Sequence, residues 1–170
     1  MDFKQVIRTI PDFPEKGIMF RDITTVLHNP AALVMAVDQI VDNIRGINFD
    51  LIAGPESRGF IFGTPAAYIL KKGFVPVRKA GKLPYKTISK SYSLEYGEAS
   101  LEIHEDAISK GQRIIIVDDL LATGGTSKAI ADLVEEAGGV IVHMAFFIEL
   151  EALGGRGFIG DYDISSLVKY

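Results

Sequence analysis

The sequence predicts an α/β fold, a mainly parallel sheet flanked by helices, with a small hood at its N-terminal end. Apolar runs of strand length alternate with segments of helical spacing, the pattern of βαβ units. One run, Ile114-Ile115-Ile116-Val117, is wholly β-branched with no polar interruption, which suits a strand buried on both faces of a parallel sheet. The stretch holding Pro11 and Pro14 cannot form such a unit, because each proline removes an amide donor and breaks a helix. It is expected over the sheet edge as the hood. With 170 residues and neither repeat nor linker, the chain is expected to be a single domain, 1–170, with the hood over roughly 1–28.

Taken in order, Phe3, Val6, Ile7 and Ile10 repeat at helical spacing and predict a short helix over residues 2–9. Pro11 and Pro14 end it, and the segment through Thr25 reads as irregular. Asn29 is placed to cap a helix with Pro30 at its first position. Leu33, Val34, Val37, Ile40, Val41 and Ile44 line one face of that helix, and Gly46 stops it. A strand at Leu51–Ala53 is turned by Gly54-Pro55 into a largely apolar helix near Arg58–Lys71. Phe74–Val77 is the next strand. Residues 79–90 hold Gly, Pro and several Lys with little periodicity, and predict a flexible loop that runs on to about residue 93. Tyr92–Glu95 and Ser100–Glu105 read as strands joined at Gly97. The strand from Arg113, a helix over Gly125–Ala137, a stop at Gly138-Gly139 and a strand over Val140–Ile148 follow.

Composition narrows the function. The net charge is −4 with 24% charged residues, a poor match to nonspecific nucleic-acid binding, so any phosphate contact must be local. The absence of cysteine excludes disulfides and thiolate metal sites. No secretory signal and no run of membrane-spanning length is visible, so neither membrane nor nucleic acid is expected as a partner and the cytoplasm is the expected compartment. His28, His104 and His143 have no metal-ligand spacing. Gly155–Gly160 spells G-R-G-F-I-G, the letters of a dinucleotide fingerprint. That motif needs a following helix and a distant acidic ribose contact, for which too few residues remain, and a flexible C-terminal turn is expected instead.

The chemistry concentrates where the Ile114–Val117 run ends. Asp118 and Asp119 are expected at the carboxyl edge of the sheet, where open α/β sheets collect ligands. Ala122, Thr123, Gly124, Gly125 and Thr126 form a turn whose small residues let backbone N–H groups face an anion at a helix start. Such a turn suits a phosphate and the carboxylate pair suits a ribose diol. A capped turn without a ligand is the plainer alternative. Gly54–Gly59 (G-P-E-S-R-G) repeats the layout as a second anion-facing turn, or as a simple connection with Ser57 capping the helix. Arg78, Lys79 and Lys82 leave a strand on the same side, suited to a polyanionic leaving group or to a solvated surface.

V-D-D-L-L-A-T-G-G-T resembles the signature of the type I phosphoribosyltransferases for 5-phosphoribosyl 1-pyrophosphate. Pro11–Thr24, Glu56–Gly63, Arg78–Pro84 and Ser91–Gly97 resemble, in order, the adenine-using branch of that family. The resemblance implies the type I phosphoribosyltransferase fold and a purine-salvage transfer from 5-phosphoribosyl 1-pyrophosphate to adenine, giving AMP and pyrophosphate. It assigns the phosphoribosyl group to Asp118, Asp119 and Ala122–Thr126, and pyrophosphate to Glu56, Ser57, Arg58, Arg78, Lys79 and Lys82. Adenine falls to Met19, Phe20 and Arg58: the Phe20 ring would stack on the base and the Met19 backbone would meet its edge, unless these residues simply anchor the hood. Glu95 becomes the candidate for proton transfer, beside Asp118 and Asp119 as catalytic groups. Tyr92 and Tyr96 could cover the site or bury in the core. The resemblance further implies Mg²⁺ held mainly by substrate oxygens with no direct protein ligand, a loop containing Lys82 that closes over the site, and a homodimer. Guanine, xanthine or hypoxanthine as the acceptor, and a noncatalytic sensor of the ribosyl donor, are the competing readings; the presence of Lys79, Lys82 and Glu95 speaks against the second.

Overall fold

The computed structural model describes residues 1–93 and 98–170. Its frame is a seven-stranded sheet in the order β5-β6-β4-β3-β7-β8-β9, built from β3 (Leu51–Pro55), β4 (Gly73–Lys79), β5 (Thr87–Ser93), β6 (Glu98–His104), β7 (Arg113–Leu121), β8 (Val140–Glu149) and β9 (Ile164–Lys169). The run β4-β3-β7-β8-β9 is parallel, while β6 pairs antiparallel with β4, and β5 with β6. This mainly parallel sheet with flanking helices is the predicted class.

The two faces of the sheet bury separate cores. Ile115 and Val117 join one, with Ile52, Phe62, Phe147 and the helix α3 (Pro30–Ile44). Ile114 and Ile116 join the other, with Ala53, Val75 and the helix α5 (Gly125–Glu136). Adjacent residues facing opposite, equally apolar layers explain why the β7 run carries no polar alternation. The helix α4 (Arg58–Leu70) packs against β3 and β7 on the α3 side. Past Val117 the alternation slips, because Leu120 packs on the same face as Val117 while Leu121 returns to the other. The slip falls on Asp118 and Asp119.

Several expectations are corrected. The N-terminal helix α1 (Phe3–Val6) is a single turn, and β1 (Arg8–Ile10) then pairs antiparallel with β2 (Phe20–Asp22). Ile10 precedes a proline, which disfavours helix there, and the pairing satisfies its backbone. The irregular segment ends earlier than expected, since α2 (Thr24–Leu27) forms one turn, preceded by the Asp22 carboxylate accepting from the Thr24 N–H at 2.9 Å. The α3 cap is as predicted, with the Asn29 side chain accepting from the Ala32 N–H at 3.1 Å, but Val34 is 59% exposed rather than on the buried face. Gly54 and Pro55 continue β3 instead of turning it, paired with Pro76 and Val77. The pairing of β3 with β7 ends at Ala53, so the missing proline N–H breaks no ladder there. Residues 87–93 of the expected loop form β5, paired along β6. The Asp pair lies within β7 rather than beyond it, because β8 runs alongside to match Leu121 with Glu149.

The C-terminal stretch is ordered, not a flexible turn. A 3-10 turn at Glu151–Leu153 leads into α6 (Gly155–Ile159), and β9 then adds a parallel edge strand to β8. Among the described residues, no helix is long and apolar enough to cross a membrane.

Candidate active site

Three strands deliver their carboxyl ends to one cleft of about 240 Å³. β3 and its connection to α4 supply Pro55, Glu56 and Arg58; β4 supplies Lys79; β7 and the turn after it supply Asp118, Asp119, Leu120 and Ala122–Ser127. Tyr92 of β5 and Leu101 of β6 complete the wall.

The acid pair is the most unusual feature of this cleft. Asp118 and Asp119 are both buried, and the Asp118 carboxylate accepts the Asp119 N–H at 2.8 Å. Burial pushes the Asp118 carboxyl well above the ordinary aspartate range, and the neighbouring Asp119 charge pushes it further. Asp119 is also raised by burial, but Arg58 opposes the shift with an ion pair, Nε to Oδ2 at 2.8 Å. One guanidinium therefore serves two carboxylates.

The turn opposite offers donors. Gly124 takes a φ of +89°, which favours glycine, and stands at the start of α5 with no side-chain cap. The first N–H groups of a helix have no intrahelical acceptor, and the residues that carry them here line the cleft. Thr126 contributes a hydroxyl whose Oγ1 lies 3.5 Å from the Tyr92 hydroxyl. Ser57 precedes α4 without capping it through its side chain and is exposed, so the capping alternative for that residue is not realised.

Not every candidate lines the cleft. Arg78 is half-buried and paired with Glu56, Nε to Oε2 at 2.6 Å, and its Nη1 donates to the Lys82 carbonyl at 3.4 Å. Lys82 is exposed. In the hood, Phe20 packs edge-to-face on Phe13 at 5.1 Å between ring centres, and Met19 is 50% exposed. Arg78, Ser57, Lys82, Met19 and Phe20 stand outside the cleft lining, as do the three histidines. Glu95 and Tyr96 lie outside the described residues. Tyr92, left open from the sequence, does reach the site. Leu101 gave no sequence signal, since its proximity comes from strand pairing.

An uncapped turn of small residues beside a buried carboxylate pair, at the carboxyl edge of a mainly parallel sheet, is the layout of an α/β domain with an anion-suited cleft. The comparisons agree with that class. The phosphoribosyl transferase domain family matches residues 22–167. An adenine phosphoribosyltransferase of Clostridium botulinum is 58% identical over 100% of this chain and 99% of its own length. The crystal structure of the adenine phosphoribosyltransferase of Thermoanaerobacter pseudethanolicus superposes with a TM-score of 0.95 at 56% identity, covering 98% of this chain and 97% of that one. That of Saccharomyces cerevisiae, complexed with an imino-altritol bisphosphate and adenine, gives 0.89 at 38% identity over 96% and 94%. The chain belongs to the phosphoribosyltransferase family, on its adenine phosphoribosyltransferase branch.

Proposed function

We propose that the protein transfers the 5-phosphoribosyl group from 5-phosphoribosyl 1-pyrophosphate to adenine, releasing AMP and pyrophosphate in purine salvage. The observation that carries this reading is the frustrated acid pair facing an uncapped turn across one cleft. It is supported by full-length similarity to relatives named for that activity.

The turn Ala122–Thr126 would take the 5′-phosphate through its backbone N–H groups and the Thr123 and Thr126 hydroxyls. Asp118 and Asp119 would accept from the ribose hydroxyls and stabilise the positive charge that grows at C1 as its bond to pyrophosphate oxygen lengthens. Arg58, already on Asp119, and Lys79, in the cleft wall, would face the departing pyrophosphate, with Glu56, Ser57, Arg78 and Lys82 around them. Adenine N9 would then bond to C1 while the N9 proton passes to a base, for which Glu95 is the candidate. Phe20 would stack on the base, Met19 would meet its edge through the backbone, and Arg58 would lie beside it. The loop near 79–93 would close over the site and exclude water, and the hood near 1–28 would supply the base side of a single domain.

Mg²⁺ fits this donor set in a limited way. Among the described residues no group of three or more His, Cys, Asp or Glu gathers as a metal cage. That agrees with a hard cation held mainly by substrate oxygens and water, with no direct protein ligand. The ion would supply charge neutralisation on the pyrophosphate. A cytoplasmic homodimer is part of the same reading.

A pyrophosphate-release assay with adenine, guanine, hypoxanthine and xanthine tests the proposal. Turnover with adenine alone is expected; equal rates with all four would overturn the assignment of the base.

A further inference from the structure

The stretch G-R-G-F-I-G, without a role in the chemistry above, forms the support of the phosphate turn. Gly155 opens α6 and lies directly against the turn. A Cβ on Gly155 would be driven into the Ala122 carbonyl and would come within 3.0 Å of the Gly124 amide nitrogen. From the other side, a Cβ on Gly124 would stand 2.8 Å from the Gly155 carbonyl and 3.0 Å from Ile159 Cγ1. The turn and α6 therefore meet backbone to backbone. The turn has no side-chain cap of its own at Gly124.

α6 is held by Ile159, buried in the α5-side core, and by the polar contacts of Arg156. Arg156 forks onto Glu149, with Nε donating to Oε1 at 2.9 Å and Nη2 to Oε2 at 2.7 Å. Its Nη1 donates to the Ile164 carbonyl of β9 at 3.0 Å. Ser166 donates to the same Glu149 carboxylate. Glu149 is 4% exposed and ends β8 opposite Leu121, the last residue of β7 before the turn. The Leu150 N–H donates to the Leu121 carbonyl at 2.9 Å, closing the two strand ends together. Neither Glu149 nor Arg156 lines the cleft.

We infer that the Arg156–Glu149 fork is a positioning element for the 5′-phosphate subsite: it fixes α6, and α6 fixes the backbone of Ala122–Gly124 through Gly155. The inference rests on the reading of that turn as the phosphate site. Its substrate-level consequence is selective. Loosening the fork misaligns amide donors toward the phosphate of the ribosyl donor directly, whereas the hood meets this sheet edge through the Tyr170 ring, whose centre lies 3.7 Å from the Arg21 guanidinium, and not through the turn.

The test uses the full chain and three variants. Arg156→Lys keeps the charge but loses the two-pronged geometry. Gly155→Ala pushes on the Ala122 carbonyl directly. Ser165→Ala removes the 2.8 Å contact between Ser165 Oγ and His143 Nε2 on the same β8–β9 pair, and serves as a control for general weakening of that edge. Ribose 5-phosphate is titrated calorimetrically, thermal midpoints are recorded, and KM is measured for each substrate. Arg156→Lys and Gly155→Ala are expected to weaken ribose 5-phosphate and raise the KM for the ribosyl donor by about 10-fold, the scale of one charge-assisted hydrogen bond. The KM for adenine should stay within about twofold, and Ser165→Ala should change neither constant whatever it does to the thermal midpoint. Should Gly155→Ala fail to fold, Arg156→Lys decides. If wild-type protein binds no ribose 5-phosphate, the phosphate reading of the turn falls and the inference with it. If wild type binds it and Arg156→Lys binds equally well, or if both KM values rise together, the positioning role is overturned.

Discussion

Two acidic clusters stand at the carboxyl edge of the same sheet, one strand apart, in opposite electrostatic states. At the end of β7, burial raises Asp118 and Asp119, and a single guanidinium serves both. At the end of β8, Glu149 is as little exposed to solvent, yet the Arg156 hydrogen bonds hold its carboxyl below the ordinary glutamate range. Two things differ: the Asp pair sits deeper in the protein, so desolvation dominates there, and more donors reach the Glu149 oxygens. Glu149 has its partners in the folded chain, whereas the Asp pair is left short, and that shortage is what a ribose diol and a positively charged reacting carbon would relieve. On the proposed function, the satisfied buried carboxylate is scaffold and the unsatisfied pair is the site.

The comparison can be broken most severely at Asp119. Asp119→Asn is expected to lower turnover by about 10²–10³ with saturating substrates, while thermal stability stays close to wild type; near-full activity in a steady-state assay would remove Asp119 from the catalytic set.

Next comes the scaffold acid. Glu149→Gln is expected to cost on the order of 2 kcal/mol at neutral pH, because it leaves the Arg156 fork half made. For a chain of this size that lowers the thermal midpoint by roughly 4–8 °C. A group with a depressed folded pKa contributes stability above its unfolded value and loses it as pH falls through the folded one. The penalty should therefore be full at neutral pH and fade below the ordinary glutamate value of 4.5. A penalty that grows on acidification would contradict the assignment.

Asp118→Asn should behave in the opposite sense. Its folded pKa is raised, so wild-type stability from this group is complete below the ordinary aspartate value of 3.8 and is lost as pH rises toward the folded value. The amide does not pay that cost, and the ligand-free variant should melt a few degrees higher than wild type at neutral pH, by about 2–4 °C for each kcal/mol recovered. Differential scanning calorimetry across pH would show the advantage widening from acid to neutral; a constant offset would mean that burial of the charge is not its source.

The smallest effect is expected at Thr126. Thr126→Val removes one hydroxyl from the turn and its long contact with Tyr92, leaving the backbone donors in place. The KM for the ribosyl donor should rise a few-fold, about one neutral hydrogen bond, with the KM for adenine unchanged.

The sequence was most legible where the physics is local. The unbroken Ile114–Val117 run announced a strand covered on both sides, and the Asn29-Pro30 pair announced a helix start, because each depends on residues next to one another. The small residues after Asp119 likewise announced a turn at a helix start. The rest depends on distance along the chain. Arg58 meets Asp119 only because β3 and β7 are neighbours in the sheet. Tyr92 reaches the cleft only because β5 and β6 fold back along β4. Arg8 and Thr9 read as helix until their partners in Phe20–Asp22 are known. The G-R-G-F-I-G letters misled in a different way. Their glycines were weighed for a ligand's close approach, and one of them serves instead for the approach of another backbone.

The Glu149–Arg156–Ile164 linkage also bears on birth order. A chain emerging from the ribosome exposes Ala122–Thr126 before Arg156 and β9 have been made. The residues that read as the phosphate site are then all present, yet nothing fixes their backbone. On the positioning role inferred above, a nascent chain would acquire its grip on the ribosyl donor only once Ile164 has docked beside Met144, so that competence waits for β9 rather than coming as soon as its contact residues exist.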